Sequence, residues 1–305
     1  MNKDFPEWLR QPWPSGDTFA KTKDALRDLG LHTVCQSARC PNMGECWARG
    51  TATVMVLGNT CTRNCGFCSV PSGRPLGLDP DEPHRVAQAV QRMQLNHAVV
   101  TTVVRDDLPD LGSGHIADTI RAIHELNPET TVEILVSDCS RDESLVRTVL
   151  DAAPAIFSHN LETVRPLFTQ IRDRRFTYEG TLDVLRYARQ YAPDTIIKSA
   201  LMVGHGETRE EIRQALSDLV EAGCEVVAIG QYLRPTSKQR PVAEYINPTE
   251  FELYERMAYD LGFLFAVAGP FVRSSYRSEE VLTAEFAQER IAANRKRRQL
   301  RALTA

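Results

Sequence analysis

Six apolar runs alternate with segments of helical periodicity through the middle of this 305-residue chain. They cover residues 51–57, 97–104, 131–137, 155–157, 195–203 and 225–232. Runs that are apolar throughout are typical of strands buried on both faces, as in a parallel sheet covered by helices. The alternation therefore predicts an α/β fold built from βαβ units. The strand count favours a partial, TIM-like (β/α)6 barrel over a closed eightfold one.

The cysteines are the second constraint, because six of the eight lie between residues 34 and 70. They form two groups of three: C-x4-C-x5-C at Cys35, Cys40 and Cys46, and C-x3-C-x2-C at Cys61, Cys65 and Cys68. A closed zinc site needs four protein ligands, whereas a cuboidal iron-sulfur cluster held by three thiolates leaves one iron open. The second group contains no histidine to complete a zinc site. The pattern favours two iron-sulfur clusters over a zinc knuckle.

The second cysteine group falls where a barrel carries its chemistry. Cys61 comes four residues after the first predicted strand, so the group lies in the first βα loop. Loops at the carboxyl ends of parallel barrel strands form the active sites of such folds. Cys139 and Cys224 lie at the edges of apolar segments, and we expect both to be small buried residues rather than ligands.

Charge and hydropathy argue against two classes of protein. The net charge of -4 and the isoelectric point near 6.0 argue against a nucleic-acid binder. No run approaches the roughly 18 apolar residues of a spanning helix, and the N-terminus lacks the apolar core of a secretory signal. We therefore predict a cytoplasmic protein that binds neither nucleic acid nor membrane. In that reducing compartment, clustered cysteines bind metal or react more often than they form disulfides.

We expect three regions along the chain. Residues 1–50 form an N-terminal arm with the first cysteine group, in which Trp8 and Trp13 pack on the body and a helix covers 19–29. Residues 51–235 form the barrel, and residues 236–305 form a C-terminal extension. That extension ends in a basic run, which is either a solvated helix end or a docking site for an acidic partner protein: Arg290, Arg295, Lys296, Arg297, Arg298 and Arg301.

Two motifs resemble known families. The segment 60–68, T-C-T-R-N-C-G-F-C, resembles the cluster loop of the radical S-adenosylmethionine enzymes, in which an aromatic residue such as Phe67 usually precedes the last cysteine. The segment 35–47, C-Q-S-A-R-C-P-N-M-G-E-C-W, is similar to the auxiliary-cluster motif of lipoyl synthases. That likeness runs from Trp8 to Tyr276 and includes R-D-D-L at 105–108, G-Q-Y-L at 230–233 and R-S-S-Y at 273–276.

The resemblance implies a reaction and its cofactors. Lipoyl synthases insert sulfur at C6 and C8 of an octanoyl chain on a lysine of a carrier domain, using S-adenosylmethionine and two 4Fe-4S clusters. One cluster generates a 5′-deoxyadenosyl radical, because an aliphatic C–H bond is too weakly acidic for a general base. The auxiliary cluster donates its own sulfide.

The resemblance also implies partners. They are octanoylated lipoyl carrier domains of 2-oxoacid dehydrogenases or the glycine-cleavage H protein. An electron donor such as flavodoxin or ferredoxin and an iron-sulfur carrier complete the set.

The resemblance further implies roles for single residues. The match to the R-S-S-Y motif makes Ser275 the fourth ligand of the auxiliary cluster, beside Cys35, Cys40 and Cys46, and a hydroxyl oxygen suits iron less well than a thiolate. The residues alone leave another interpretation open, in which Ser274, Ser275 or Ser278 caps a helix that begins near Glu279. Candidate contacts of S-adenosylmethionine near strand ends are Thr101, Thr102, Asn160, Lys198 and Glu207. His159 is the one histidine whose position suggests a site, and the alternative is a histidine that packs in the core or supports a neighbouring site residue.

The chain departs from the family pattern at three places, none of them a predicted cluster ligand. Val104 occupies a position where the family usually has an aspartate, and Gly180 occupies one where it usually has an arginine. Arg277 and Ser278 replace a common His-Ala pair. Two other interpretations therefore stay open at this point. One is a related radical enzyme that inserts sulfur into a different acyl chain or carrier, and the other is a non-enzymatic zinc or electron-transfer module.

Overall fold

The computed structural model describes residues 6–10 and 16–302, excepting the side chains of residues 300–302. The predictions for Trp13 and for the side chain of Arg301 fall outside the described residues. Within that part of the chain, eight strands form one sheet in sequential order. The strands are β1 (His32–Thr33), β2 (Thr53–Val56), β3 (His97–Thr102), β4 (Thr131–Leu135), β5 (Ile156–Ser158), β6 (Ile196–Val203), β7 (Val226–Gln231) and β8 (Phe265–Gly269).

The sheet confirms the predicted α/β class and partial barrel. Neighbouring strands from β2 to β8 pair in parallel, and the six predicted runs correspond to β2 to β7. Two further strands were not predicted. β8 is only partly buried and borders a Gly-Pro turn, while β1 has two residues and pairs antiparallel with β2. Short edge strands like these have too little periodicity for a sequence pattern to detect.

Helices connect the strands and cover the outside of the barrel. They are α1 (Asp17–Asp28), α2 (Val34–Ser37), α3 (Met43–Ala48), α4 (Glu82–Arg92), α5 (Ser113–Leu126), α6 (Glu143–Asp151), α7 (Phe168–Ile171), α8 (Tyr178–Tyr191), α9 (Arg209–Glu221), α10 (Pro248–Leu261) and α11 (Glu285–Ala302). Sequence signals fix several ends. Thr208 and Glu211 form a capping box at the start of α9, and Gly262 ends α10 with a φ of 109°.

The N-terminal arm joins the barrel after α1, where Arg85 of α4 donates to the Leu29 carbonyl at 2.9 Å, and within the arm Phe19 of α1 contacts Trp47 of α3 with ring centroids 5.4 Å apart. Trp8 lies in a 3-10 turn over Glu7–Leu9 and is 43% exposed, whereas its neighbour Leu9 is buried. The predicted packing therefore occurs through Leu9 and Phe19 rather than through Trp8. None of the described helices is long and apolar enough to cross a membrane.

Helix α11 covers the amino-terminal end of the barrel, and its arginines bind there. Four of them contact barrel loops: Arg290 pairs with Glu225 at 3.0 Å, Arg295 with Glu129 at 3.1 Å, Arg297 bonds Thr195 Oγ1 at 3.1 Å, and Arg298 bonds the Pro128 carbonyl at 2.9 Å. This differs from both predicted alternatives. The basic run attaches the helix to the barrel: Arg290 and Arg295 pair with glutamates, whereas Arg297 and Arg298 bond a hydroxyl and a carbonyl.

The C-terminal segment 270–283 crosses from the carboxyl end of the barrel to the amino end. Val272 to Ser275 line the central cavity, and Asn42 Nδ2 donates to the Phe271 carbonyl at 2.6 Å. Farther along, Val281 packs against Ile156, Ile196 and Val226 at the start of three strands. The segment therefore fills the open side of the partial barrel and places its polar residues inside.

Candidate active site

Cys61, Cys65 and Cys68 lie in the loop after β2, at the carboxyl end of the barrel. The backbone amides of Arg63 and Val104 each lie 3.4 Å from the Cys61 sulfur, and the amide of Asp173 lies 3.4 Å from the Cys65 sulfur. These amides stabilise negative charge on the sulfurs without adding a competing ligand. Val104 replaces the aspartate expected from the family pattern, but this contact uses the backbone amide and does not depend on the side chain.

Arg63, a buried arginine of this loop, connects the loop to neighbouring loops. The Arg63 side chain is 2% exposed and pairs with Asp106 at 2.8 Å and Asp138 at 2.9 Å. Its guanidinium lies 4.1 Å from the ring centre of Phe176. Burial alone would lower the pKa of Arg63, but the hydrogen bonds to both aspartates raise it above the ordinary value. The loop conformation thus depends on a charged network that the cysteine spacing does not reveal.

The first cysteine group lies on two short helices beside the barrel. Thr33 caps α2, where its hydroxyl accepts from the Gln36 amide at 3.3 Å, and this turn carries Cys35. The Cys40 amide donates to the Cys35 carbonyl at 2.9 Å, and the Cys46 amide donates to the Asn42 carbonyl at 2.8 Å. The chain therefore turns back on itself twice, which brings three thiols of one motif close to each other.

The R-S-S-Y segment reaches this group from the other end of the chain. Thr53 Oγ1 donates to Ser275 Oγ at 2.9 Å, and the backbone of Thr53 also hydrogen-bonds the Cys35 sulfur. Tyr276 donates to Glu45, the residue before Cys46, at 3.1 Å. One threonine of β2 thus connects Ser275 with Cys35.

The helix-capping interpretation of the serines does not fit the structure. The 3-10 helix Ser278–Thr283 begins after Arg277, whose φ is 49°, and no side chain caps it. Ser278 is buried, and its hydroxyl bonds Lys198 and Glu133 instead. Ser275 lines the cavity. Its hydroxyl is therefore available as a ligand.

Burial and the neighbouring cysteines oppose ionisation of the clustered thiols. Burial raises the pKa of Cys35 to about 11, and the nearby Cys40 thiolate adds to the shift. Burial likewise raises the pKa of Cys46 and of Cys68 to about 12, with repulsion from the other cysteines of each group. Iron would offset this repulsion, since metal binding replaces the thiol protons.

Each group supplies three thiols, which is the donor set that attaches a cuboidal 4Fe-4S cluster and leaves one iron open. Among the described residues, no three His, Cys, Asp or Glu side chains are grouped to hold one metal ion.

Both groups open into one cavity of about 500 Å³ inside the carboxyl end of the barrel. Its lining includes five of the six clustered cysteines: Cys35, Cys40, Cys61, Cys65 and Cys68. Ser275 lies on the same wall, and apolar residues of several strands complete it, among them Met55, Leu135, Ala200 and Ala228. A flexible apolar substrate can thus contact both groups without leaving the cavity.

Three predicted contacts of S-adenosylmethionine, Thr101, Thr102 and Asn160, line this cavity. His159 also lines it, with Nδ1 3.0 Å from the Val136 carbonyl. The Asn160 Oδ1 and His159 Nε2 atoms are buried and have no hydrogen-bond partner among the described residues. Unpaired buried polar atoms on a cavity wall fit a polar ligand such as S-adenosylmethionine.

The other two predicted contacts lie elsewhere, which corrects the sequence prediction. Lys198 lies near the amino-terminal end of β6, where its ammonium donates to Glu133 at 3.0 Å and Ser278 at 2.9 Å. The Glu207 carboxylate accepts from the His205 amide at 2.9 Å and from the Gly204 amide within its own turn. Both side chains are thus committed to structural bonds outside the cavity.

The sequence prediction missed an ion pair on the cavity wall. Glu162 and Arg172 line the cavity and lie 3.5 Å apart, and Asn160 Nδ2 donates to the Glu162 carboxylate at 3.2 Å. Burial raises the pKa of Glu162 above its ordinary value. Glu162 follows β5 in the same loop as His159 and Asn160, so the strand-end rule could have identified it. Cys139 and Cys224 are buried outside the cavity lining, as predicted.

Fold and site together define a class of protein. The model of the radical SAM superfamily matches residues 55–219. Methylornithine synthase (PylB) is similar in structure, with a TM-score of 0.53 and 12% identity over 85% of this chain and 87% of that chain. SuiB of Streptococcus suis bound to S-adenosylmethionine gives a TM-score of 0.55 and 12% identity over 70% of this chain and 49% of that chain. Such identities show the fold alone, and the superfamily match makes the chain a radical S-adenosylmethionine protein.

Closer relatives specify the family. A model of the N-terminal domain of lipoyl synthase matches residues 1–40. The lipoyl synthase of Thermus thermophilus is 51% identical over 282 residues, which is 92% of this chain and 87% of that protein. The mitochondrial lipoyl synthase of Zygosaccharomyces rouxii is 46% identical over 295 residues, 95% of this chain and 76% of that protein. The chain belongs to the lipoyl synthase family and is a radical enzyme that uses 4Fe-4S clusters and S-adenosylmethionine.

Proposed function

We propose that this chain inserts sulfur at C6 and C8 of an octanoyl chain attached to a lysine of a lipoyl carrier domain. The observation that carries the proposal is the shared cavity, into which both cysteine groups and Ser275 open. Two reactions on one substrate, hydrogen removal and carbon–sulfur bond formation, need two reactive centres within reach of the same carbon. Proximity of this kind supplies much of the rate acceleration in enzymes.

We assign Cys61, Cys65 and Cys68 to the cluster that binds S-adenosylmethionine, and Cys35, Cys40, Cys46 and Ser275 to the auxiliary cluster. When bound, the first cluster and S-adenosylmethionine would supply a radical that removes hydrogen, and the second would supply sulfur. The amides of Arg63, Val104 and Asp173 hold the sulfurs of the first group. Thr53 holds Ser275 next to Cys35.

The cavity wall has two chemically different parts. Asn160 and Glu162, with their buried polar atoms, suit the amino-acid end of S-adenosylmethionine, and Thr101 and Thr102 lie on the same wall. The apolar residues suit the octanoyl chain and exclude water, which protects a reactive carbon from side reactions. Lys198 and Glu207 have no part in this assignment.

The finer partners are also part of the proposal. The carriers are the lipoyl domains of 2-oxoacid dehydrogenases or the glycine-cleavage H protein, and flavodoxin or ferredoxin supplies electrons. An iron-sulfur carrier restores the auxiliary cluster. All eight cysteines are free thiols, which fits a reducing cytoplasm. The three regions 1–50, 51–235 and 236–305 remain the proposed division of the chain.

The test is an anaerobic assay with reconstituted protein, S-adenosylmethionine, dithionite and an octanoyl-lysine peptide. We expect 5′-deoxyadenosine and a product that contains two sulfurs, detected by mass spectrometry. Formation of 5′-deoxyadenosine without sulfur in the product would exclude the proposed reaction. Peptides that carry shorter or longer acyl chains, assayed in parallel, separate lipoyl synthesis from sulfur insertion into another acyl chain.

A further inference from the structure

The carboxyl end of the barrel is basic in a chain that is acidic as a whole. Five loop segments form or contact the Cys61–Cys68 loop and its flanks, namely residues 34–42, 59–78, 103–111, 172–176 and 233–241. Together they contain ten basic and four acidic residues, whereas the whole chain has a net charge of -4. The remainder therefore carries a net charge of -10. Charge is thus strongly asymmetric between the cavity entrance and the rest of the molecule.

The acidic residues of these loops are all bonded within the chain. Asp110 accepts from the amides of Gly112 and Gly114 at 3.0 Å each. The other three pair with arginines of the same loops: Asp106 with Arg63 and Arg175, Asp107 with Arg105, and Asp173 with Arg175. They offset part of the positive charge and offer little to a partner.

Several basic residues of the loops are left without an acidic partner. Arg39, Arg74, Arg174 and Lys238 are exposed, and none of these side chains has a hydrogen bond or close ion pair within the described part of the chain, although Arg74 is near enough to Asp107 to contribute to the lowered pKa of that carboxyl. Arg234 is exposed too and bonds only the carbonyls of Gln239 and Ser237 in its own loop. We call these five residues the basic rim.

The basic rim surrounds the cavity entrance. Arg39 and Arg234 line the cavity itself. Each of the other three is next in sequence to a residue that bonds the cysteine loop. Arg74 follows Gly73, whose amide donates to the Cys61 carbonyl at 3.0 Å, and Arg174 follows Asp173, whose amide lies 3.4 Å from the Cys65 sulfur. Lys238 precedes Gln239, whose Nε2 donates to the Cys68 carbonyl at 3.1 Å. Whatever delivers the substrate to the cavity must therefore approach five exposed cations.

Neither small ligand of the reaction explains these charges. The octanoyl chain is apolar and uncharged, and S-adenosylmethionine carries a net positive charge at neutral pH, so a basic rim would repel it. On the proposed function, two proteins must approach this entrance, the electron donor and the domain that bears the acyl chain. Only the carrier domain has to place its acyl-lysine inside the cavity, whose wall includes Arg39 and Arg234. Opposite charge on two protein surfaces increases the association rate and sets their orientation.

We propose that the basic rim docks an acidic face of the octanoylated carrier domain, so that the acyl-lysine points into the cavity. This rests on the proposed function and identifies which surface of this chain selects the carrier. The double variant R174E/K238E tests it, since both side chains lie outside the cavity lining. R92E/R213E is the matched control, because it makes the same charge change at exposed positions on the outer helices α4 and α9.

Two substrates are compared, an octanoylated carrier domain of net negative charge and a neutral octanoyl-lysine peptide, with dithionite as reductant. For R174E/K238E we expect KM for the carrier to rise about tenfold with kcat nearly unchanged, while KM for the peptide stays within about twofold. The wild-type KM for the carrier should rise with salt, and the variant should show a weaker salt dependence.

Equal changes for carrier and peptide, or an equal change in R92E/R213E, would overturn the docking proposal. Loss of activity only when flavodoxin or ferredoxin replaces dithionite would also overturn it and assign the rim to the electron donor. If the wild-type protein adds no sulfur to either substrate, the proposed function fails instead. Peptide turnover by R174E/K238E confirms that the variant folds.

Discussion

Ser275 is the residue on which the division between the two cysteine groups depends. Its hydroxyl lies on the cavity wall beside Cys35, held by Thr53 at 2.9 Å, and it caps no helix. A serine oxygen is a poorer ligand for iron in a sulfur cluster than a thiolate. A weak iron–oxygen bond would ease opening of a cluster that has to release sulfur.

We predict that S275C keeps the formation of 5′-deoxyadenosine but lowers sulfur insertion at least about tenfold, since a thiolate binds that iron more tightly. The measurement is the ratio of 5′-deoxyadenosine to sulfur-containing product. S274C is the matched control, because Ser274 lines the same cavity but has no assigned role. Unchanged insertion in S275C would remove Ser275 from the ligand set.

Arg63 gives a second prediction at the residue scale. R63M leaves Asp138, which is 5% exposed, without its cation, and removal of one partner from a buried ion pair costs about 3 to 5 kcal/mol. We expect the free energy of unfolding in urea to fall by about 3 kcal/mol, measured on anaerobic apo protein. R121M, at an exposed pair with Asp118, should change it by less than about 1 kcal/mol.

Among the elements, the C-terminal segment 270–283 has the most consequences. It carries Ser275 at one end of the barrel, and its Ser278 bonds a buried pair, Lys198 and Glu133, farther inside. A buried ion pair requires well-placed hydrogen-bond partners, and the Ser278 hydroxyl is one of them. Its bonds to Lys198 and Glu133 therefore hold the segment in position along the barrel. Lys198 is thus an anchor for the segment.

This anchor predicts a pH dependence of stability. Burial alone would raise the pKa of Glu133, but Lys198 and the hydrogen bonds of its neighbours lower it to about 2 from 4.5. A lowered pKa stabilises the fold above pH 4.5, and this contribution is lost as pH falls from 4.5 toward 2. We expect E133Q to be less stable at pH 7 and to show a smaller loss between pH 4.5 and pH 3 in urea titrations. An unchanged slope would contradict the buried anchor.

Comparison of sequence and structure separates local from long-range information. The six runs and the cysteine loop after β2 follow from periodicity and spacing within a few residues, and both were predicted. The approach of Ser275 to Thr53 joins residues 222 positions apart, and only the family resemblance pointed to it. Lys198 was misassigned because strand periodicity tells whether a side chain faces the barrel interior but not at which depth. The position of Glu162 after β5 could have identified it, whereas Arg172 belongs to no sequence pattern and only the fold places it 3.5 Å from Glu162.

At the scale of the whole molecule, the amino and carboxyl ends of the barrel differ in how their basic residues are paired, which the overall composition does not show. At the amino end, four arginines of α11 bond barrel loops and two of them pair with glutamates, while the rim residues at the carboxyl end are exposed and have no close ion pair. A net charge of -4 hides both features. A partner that recognises charge should therefore bind at the cavity entrance rather than at the C-terminal helix.

The central claim is that one cysteine group keeps its cluster and the other loses it during the reaction. The most direct test counts iron and acid-labile sulfide per chain before and after one turnover with octanoyl peptide. We expect about eight irons before turnover and about four afterwards, with the remaining cluster bound by Cys61, Cys65 and Cys68. The variant C35A/C40A/C46A should hold about four irons and form 5′-deoxyadenosine without sulfur in the product. Retention of all eight irons after product forms would contradict the account.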